Sequence, residues 1–261
     1  MADAVATQPS RLAAVRSILP RHGPADHPLP FVQALSIEMI DALCLDSDDF
    51  LVDLCCGKSY FSIGILDQVE LRHQVLVVDP SPTTLACIPI RAEIRTFAMD
   101  ALSFSAYPIR CDKILLKDGI AAIDVRERAP LFAGLRNRLL EDGILLLANT
   151  VPHRDLPLFD KALKRLHAEY ARPDELTAQL HRAGFQVHRS CFEYEHRMPL
   201  DRYCRLVEQR FLPVLASFSD REIRNGIGEI RRNHPRRNPV AYTDRLDLLA
   251  ASRSTRAVHV V

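Results

Sequence analysis

Three carboxylates stand inside or just beyond apolar runs: Asp53 within Leu51–Leu54, Asp79 at the end of Gln74–Asp79, and Asp100 after Ile94–Phe97. In an open α/β sheet, ligands bind beyond the carboxyl ends of the strands, so these groups can converge on one crevice. Between the first two lies Cys55-Cys56-Gly57-Lys58-Ser59, a tight turn leading into the apolar-periodic Tyr60–Leu66. A strand, a turn and a helix in that order present backbone N–H groups to a ligand. Asp79 follows Gly57 at about the 20-residue spacing at which a carboxylate accepts hydrogen bonds from ribose hydroxyls. That spacing points to an adenosine-containing cofactor.

Elements to position these groups can be read along the chain. Phe31, Leu35, Ile37, Met39, Ile40 and Leu43 recur at helical spacing, and the Asp46-Ser47-Asp48-Asp49 cluster closes that segment before the first strand. Gln74–Asp79 is a continuous apolar run, as a strand buried on both faces requires, and Pro80-Ser81-Pro82 stops it. A short helix over Thr83–Ile88, a weaker strand over Ile94–Phe97 and a fourth over Cys111–Leu116 follow. Ala129–Leu140 reads as a helix with Leu131, Leu135 and Leu139 at fours, and Gly143 introduces a strand over Ile144–Leu147. Helices over Leu156–His167 and Pro173–Arg182 precede a sixth strand beginning at Phe185–Val187, with Gly184 as the helix stop. Two amphipathic helices, Asp201–Phe211 and Asp220–Arg232, come before a last strand at Arg245–Ala250. Alternation at βαβ spacing predicts a mostly parallel sheet of seven strands with right-handed connections.

Composition narrows the class. With 261 residues, 48% hydrophobic and 26% charged, the chain is an ordinary globular protein. A formal net charge of +1 supplies no global attraction to nucleic acid or anionic membrane. Seven cysteines without paired zinc spacing read as reduced thiols, and no metal is expected. No apolar run reaches the roughly 20 residues that span a bilayer, and no secretory signal is evident, so a cytoplasmic protein is expected. Residues 1–30 read as a flexible lead-in or lid, with a short helix over Leu12–Leu19. The main domain is expected over 31–252, with a helical insertion at 199–238 and a tail at 253–261.

In this order the motifs resemble the class I S-adenosylmethionine-dependent methyltransferases of small-molecule type. The matching residues are Val52-Asp53-Leu54-Cys55-Cys56-Gly57, Val77-Val78-Asp79-Pro80-Ser81, Met99-Asp100-Ala101, Asp112–Lys117, Glu141–Leu146 and Arg182-Ala183-Gly184-Phe185. The resemblance implies a Rossmann-like fold, with helices on both faces of the sheet and helical additions covering the site. It also implies S-adenosylmethionine as cofactor, with Asp53 near its amino end, Gly57 approached by the methionine part, Asp79 on the ribose hydroxyls and Asp100 on the adenine amine. Leu116 and Lys117 would offer backbone groups, while Pro80 and Ala101 flank the two outer carboxylates. Cys55 and Ser59 stand where relatives carry the first and third glycines of the turn. Ala121-Ala122 stand where many small-molecule relatives carry histidines, which rules out a histidine base at that place.

The expected reaction is in-line transfer of a sulfonium methyl to a small-molecule acceptor, which needs alignment and exclusion of water more than acid–base chemistry. His153, after the fifth strand, is the candidate general base, with a plain loop histidine as the alternative. Tyr203, Arg210 and Phe211, with Phe218, are candidate substrate residues, and core packing is the alternative for the aromatics. The basic run Arg231–Arg237 suits a phosphate or nucleic acid, or simply a solvated loop. Three other readings compete: a non-catalytic cofactor-binding protein, an RNA or DNA methyltransferase lacking both common signatures, and a dehydrogenase whose turn holds a single glycine. Oligomeric state is left open.

Overall fold

The computed structural model describes residues 29–55, 57, 60–153, 155–234 and 239–253. The expected helix at Leu12–Leu19, Ser59 in the first turn and the end of the basic run at residues 235–237 lie outside them. The described chain begins with α1 (Leu29–Leu43), β1 (Leu51–Leu54), α2 (Tyr60–Leu66), β2 (Val75–Asp79), α3 (Pro82–Leu85) and β3 (Ile94–Ala98). There follow α4 (Ala101–Ala106), β4 (Cys111–Lys117), α5 (Val125–Arg138), β5 (Leu139–Thr150), α6 (Asp160–Glu169), α7 (Pro173–Arg182) and β6 (Gln186–Met198). The last elements are α8 (Leu200–Glu208), α9 (Asp220–Asn233) and β7 (Val240–Ser252), with 3₁₀ turns at Gly119–Ala122 and Pro213–Ser217.

The seven strands form one sheet in the order β3-β2-β1-β4-β5-β7-β6. Pairing is parallel from β3 to β5, and β7 runs antiparallel to both neighbours. The strand order reverses between β1 and β4, and such a switch point opens a crevice at the carboxyl ends. β1 and β2 are buried throughout, which is why each reads as an unbroken apolar run.

Alternate residues of the strands feed two cores. Val52, Leu54, Ile114, Leu116, Leu145 and Leu147 pack with Phe104, Leu131, Leu135, Leu176 and Leu180 from α4, α5 and α7. On the other face, Leu51, Val77, Leu115 and Leu146 meet Leu35, Met39, Leu43 and Ile65 from α1 and α2. Each fully buried leucine stabilises the fold by about 1.5–3 kcal/mol. A third core joins α6, α8, α9 and the Pro213–Ser217 turn to Met198, Val240 and Tyr242 at the far end of the β6–β7 hairpin. Helices thus cover both faces, and a helical layer sits between β6 and β7 in sequence.

Several boundaries differ from expectation. Helix α5 starts at Val125, where the Asp124 carboxylate accepts the Arg126 N–H at 2.8 Å, and stops at Arg138. Leu139 continues the leucine spacing but already belongs to β5. Strand β7 begins at Val240 rather than Arg245, because Val240, Tyr242 and Asp244 alternate with more exposed residues in a half-open ribbon. Helix α6 begins at Asp160, four residues after Leu156, and α8 ends at Glu208. The helix α4, for which Asp100 is the cap, was not anticipated.

Candidate functional site

Strand β1 delivers Asp53 to the crevice at 3% exposure, and the Ser62 hydroxyl of α2 donates to its Oδ2. Burial pushes the Asp53 carboxyl up to about 7; the Ser62 hydrogen bond opposes this, the Asp79 charge adds to it and Lys117 lowers it. The turn then bends through two left-handed residues, Cys55 at φ 60° and Gly57 at φ 55°. Cys55 therefore adopts, with a side chain, the conformation that a glycine adopts without cost. Its N–H donates to the Val78 carbonyl at 2.8 Å, stitching the turn to β2. Burial, then Asp79, Asp53 and Asp100, push the Cys55 thiol up to about 12, so it packs as a neutral thiol rather than acting as a nucleophile. Among the described residues nothing lies within 4 Å of where a Cβ on Gly57 would be, which leaves a cradle above the backbone.

Asp79 closes β2 at 8% exposure. Its Oδ2 accepts the Gly57 N–H at 3.2 Å and its Oδ1 the Ser81 N–H at 2.9 Å. Ser81 in turn caps α3 by accepting the Thr84 N–H at 3.2 Å, and Pro80 lies exposed between them. Asp100 is exposed and caps α4, accepting the Ser103 N–H at 2.9 Å and the Ser103 hydroxyl at 2.7 Å. Those bonds hold its carboxyl below the usual range. Ala101 behind it is buried.

At the end of β4, Leu116 is buried and the Lys117 ammonium donates to Asp118 while lying 5.0 Å from the Phe61 ring centroid. Asp118 is left-handed at φ 55° and ties β4 to β5: its Oδ1 accepts the Thr150 N–H at 2.7 Å and its Oδ2 the Thr150 hydroxyl at 3.1 Å. The next residue must be small, since a Cβ on Gly119 would lie 2.6 Å from the Cys55 Cβ. The turns after β1 and β4 are therefore in direct contact.

Past these ends a cavity of about 280 Å³ opens. Asp118, Ile120, Ala121, Ala122, Asn149 and Thr150 line it from the sheet, and Arg165, Leu166, Glu169 and Tyr170 from the end of α6. Leu212, Pro213 and Val214 close it from the helical layer. Ala121-Ala122 thus form part of the wall, and Tyr170 donates its hydroxyl to Asp247. His153 lines a second cavity, of about 720 Å³, with Asp155, Glu195 and Arg197, and its Nε2 is buried without a partner among the described residues.

The three substrate candidates sit elsewhere. Tyr203 is fully buried in the third core, its ring 5.5 Å from Tyr242 and 5.9 Å from Phe211. Arg210 donates to the Phe218 carbonyl at 3.2 Å and to Asp220 at 2.6 Å. Neither they nor Phe211 line the 280 Å³ cavity; the three residues after Phe211 do. Asp118 and Asn149 were not anticipated as site residues. A polar residue closing an apolar strand was the available signal for both.

No protein-family model and no curated protein sequence matches the chain. Solved structures match its fold. A Bacillus halodurans protein provisionally assigned as a methyltransferase shares 13% identity at TM-score 0.55, over 85% of this chain and 99% of that one. A cyclopropane synthase of Mycobacterium tuberculosis shares 17% at TM-score 0.56, over 84% of this chain and 83% of that one. A Haemonchus contortus phosphoethanolamine N-methyltransferase, solved with phosphomonomethylethanolamine and S-adenosylhomocysteine, shares 17% at TM-score 0.55, over 85% of this chain and 53% of that one. The chain has the Rossmann-like fold of class I S-adenosylmethionine-dependent methyltransferases. Among the described residues, no helix is long and apolar enough to cross a membrane.

Proposed function

We propose that this protein binds S-adenosylmethionine at the β1–β2–β4 crevice and transfers its methyl group to a small-molecule acceptor. The observation that carries the reading is the Asp79 carboxylate, buried at the end of β2 and held by N–H groups of both Gly57 and Ser81. A carboxylate has about four acceptor positions, so the two remaining can take the paired hydroxyls of a ribose. The open space above Gly57 fits the methionine part, and the Asp53 carboxyl, buried near Asp79, suits a neighbouring ammonium. Asp100 and Ala101 stand at the adenine end, with Pro80 between the two carboxylates. Leu116 and Lys117 present backbone groups from β4, and Cys55 shapes the turn.

When bound, the cofactor supplies a methyl already activated by a sulfonium. What remains for the chain is to align the acceptor and exclude water. Ala121-Ala122 and Leu212–Val214 give the acceptor cavity an apolar wall. Asp118 is held by Lys117 and Thr150 and serves as a positioning residue rather than a base. His153 is the base this reading keeps for an acceptor that reaches its cavity. Tyr203, Arg210 and Phe211 support the covering layer from behind.

The test is incubation with methyl-labelled S-adenosylmethionine and a fractionated metabolite extract. Label entering a small molecule with wild-type protein, and not with Asp79→Ala, supports the proposal. Binding of S-adenosylhomocysteine without label transfer to any fraction would leave a binding protein instead.

A further inference from the structure

At the amino end of the sheet, away from the crevice, the crossover from β3 to β4 is short. It consists of α4, six residues long, and a return through residues 107–110. Six residues of helix reach about 9 Å, against about 17 Å for the five residues of β3. The amino-terminal half of β2 and β3 is left beneath a groove of about 290 Å³. Strand alternation puts Gln74 and Leu76 on this face together with Arg95 and Phe97, and Leu76 lies opposite Arg95 in the ladder. Two aromatic pairs flank them. The Phe50 ring lies 6.3 Å from that of His73 on the β1 side, and the Phe97 ring 5.2 Å from that of Tyr107 on the β3 side.

The charge of the groove is one-sided. No carboxylate lines it, and Arg95 is exposed with neither an ion pair nor a hydrogen bond among the described residues. Arg138 donates to the Tyr107 carbonyl at 2.7 Å, so a second cation backs that wall. Asp112, behind Phe50, already accepts the Phe50 N–H at 2.9 Å, and the Gln74 Nε2 is committed to the Ala92 carbonyl at 2.6 Å.

We propose that this groove binds a planar aromatic carboxylate, at a site separate from the methyl-transfer crevice. A flat ring laid over Leu76 meets aromatic neighbours from both sides, in the stacked and edge contacts that rings prefer. The Arg95 guanidinium presents a planar fork that matches a carboxylate on that ring. A cationic ligand would be repelled by Arg95, and a neutral one would leave it unused. Gln74 and Asp79 stand at opposite ends of β2, about 17 Å apart, so the groove and the crevice can be filled independently.

The test titrates the full chain with 2-naphthoate, 2-naphthamide and the saturated decalin-2-carboxylate, by calorimetry and by naphthyl fluorescence, which no tryptophan of the chain obscures. Because Arg95 is exposed, its ion pair is expected to favour naphthoate over the amide by about fivefold at low salt, with the preference shrinking as salt rises. Arg95→Gln should erase that preference, and Tyr107→Ala should weaken both naphthyl probes toward the saturated acid. Both side chains are exposed, so neither change threatens the fold. No naphthoate binding at millimolar concentration, equal binding of acid and amide, or a preference that survives in Arg95→Gln would overturn the proposal. Displacement of naphthoate by S-adenosylhomocysteine would also overturn it, by placing the probe in the crevice. Arg95-dependent naphthoate binding by a protein that takes no S-adenosylhomocysteine would remove methyl transfer and leave the groove standing.

Discussion

The Gly57 N–H reaches the Asp79 Oδ2 at 3.2 Å and so fixes the turn after β1 against the end of β2. One carboxylate thereby shapes the cradle and faces the expected ribose. Asp79→Ala should cost about 1–3 kcal/mol of stability, because the N–H groups of Gly57 and Ser81 lose that acceptor. It should also abolish stabilisation by S-adenosylhomocysteine, which for wild type reaches about 2.7 kcal/mol at a hundredfold excess over Kd. Thermal denaturation with and without the ligand measures both effects. An equal ligand shift in the variant would contradict the assignment of Asp79.

Asp53 predicts a pH dependence. Its carboxyl ionises near 3.8 in the unfolded chain and near 7 in the fold, so the folded state holds an extra proton between those values. Stability from this group is present at low pH and is lost as pH rises from about 4 to about 7. Asp53→Asn should therefore gain on wild type by about 1–3 kcal/mol between pH 5 and pH 8. Urea denaturation at the two pH values reads this directly, and parallel behaviour of the two proteins would refute it.

Cys55 holds a left-handed φ of 60°. For a residue with a side chain that conformation costs roughly 1–2 kcal/mol. Cys55→Gly should thus be close to neutral, the relief of strain offsetting the added freedom of the unfolded chain. Cys55→Val, β-branched and pressed against Gly119, should lose about 2 kcal/mol or more. Denaturation midpoints rank the three proteins, and a valine variant as stable as wild type would show that the turn does not require this backbone.

The covering layer can be tested at Gly226 on α9. A Cβ there would lie 2.2 Å from the Phe159 Cδ1, and Phe159 is only 3% exposed, so its ring cannot swing out. Gly226→Ala should cost about 1–3 kcal/mol by forcing α9 from the α6 entry. Gly228→Ala, whose nearest contact would be the Arg232 Nη1 at 3.6 Å, is the matched control and should be neutral or slightly stabilising. Equal stability of the two variants would mean that α9 does not pack as described.

Much of the crevice was legible because strands buried on both faces leave little choice of residue. Val75–Val78 ends at Asp79 in sequence as in space, and the turn before Tyr60 announces itself by Gly57. The hairpin of β6 and β7 was harder to read. Its outer half mixes charged and apolar residues, as in Asp244-Arg245-Leu246-Asp247, so no continuous apolar run marks where the strands begin. Leu139 misled for another reason: its spacing continues the helical row of Leu131 and Leu135, yet it packs in the same core from β5. The acceptor cavity was hidden for a third reason. Its walls come from the ends of β4, β5 and α6 and from Leu212–Val214, which lie far apart in sequence, and no local pattern encodes that.

Calorimetric titration of the full chain with S-adenosylhomocysteine at neutral pH bears most directly on the proposed function. Saturable one-to-one binding at micromolar Kd, lost in Asp79→Ala but retained in Arg95→Gln, is the predicted result. Absence of binding at millimolar ligand, with the protein folded, would contradict it.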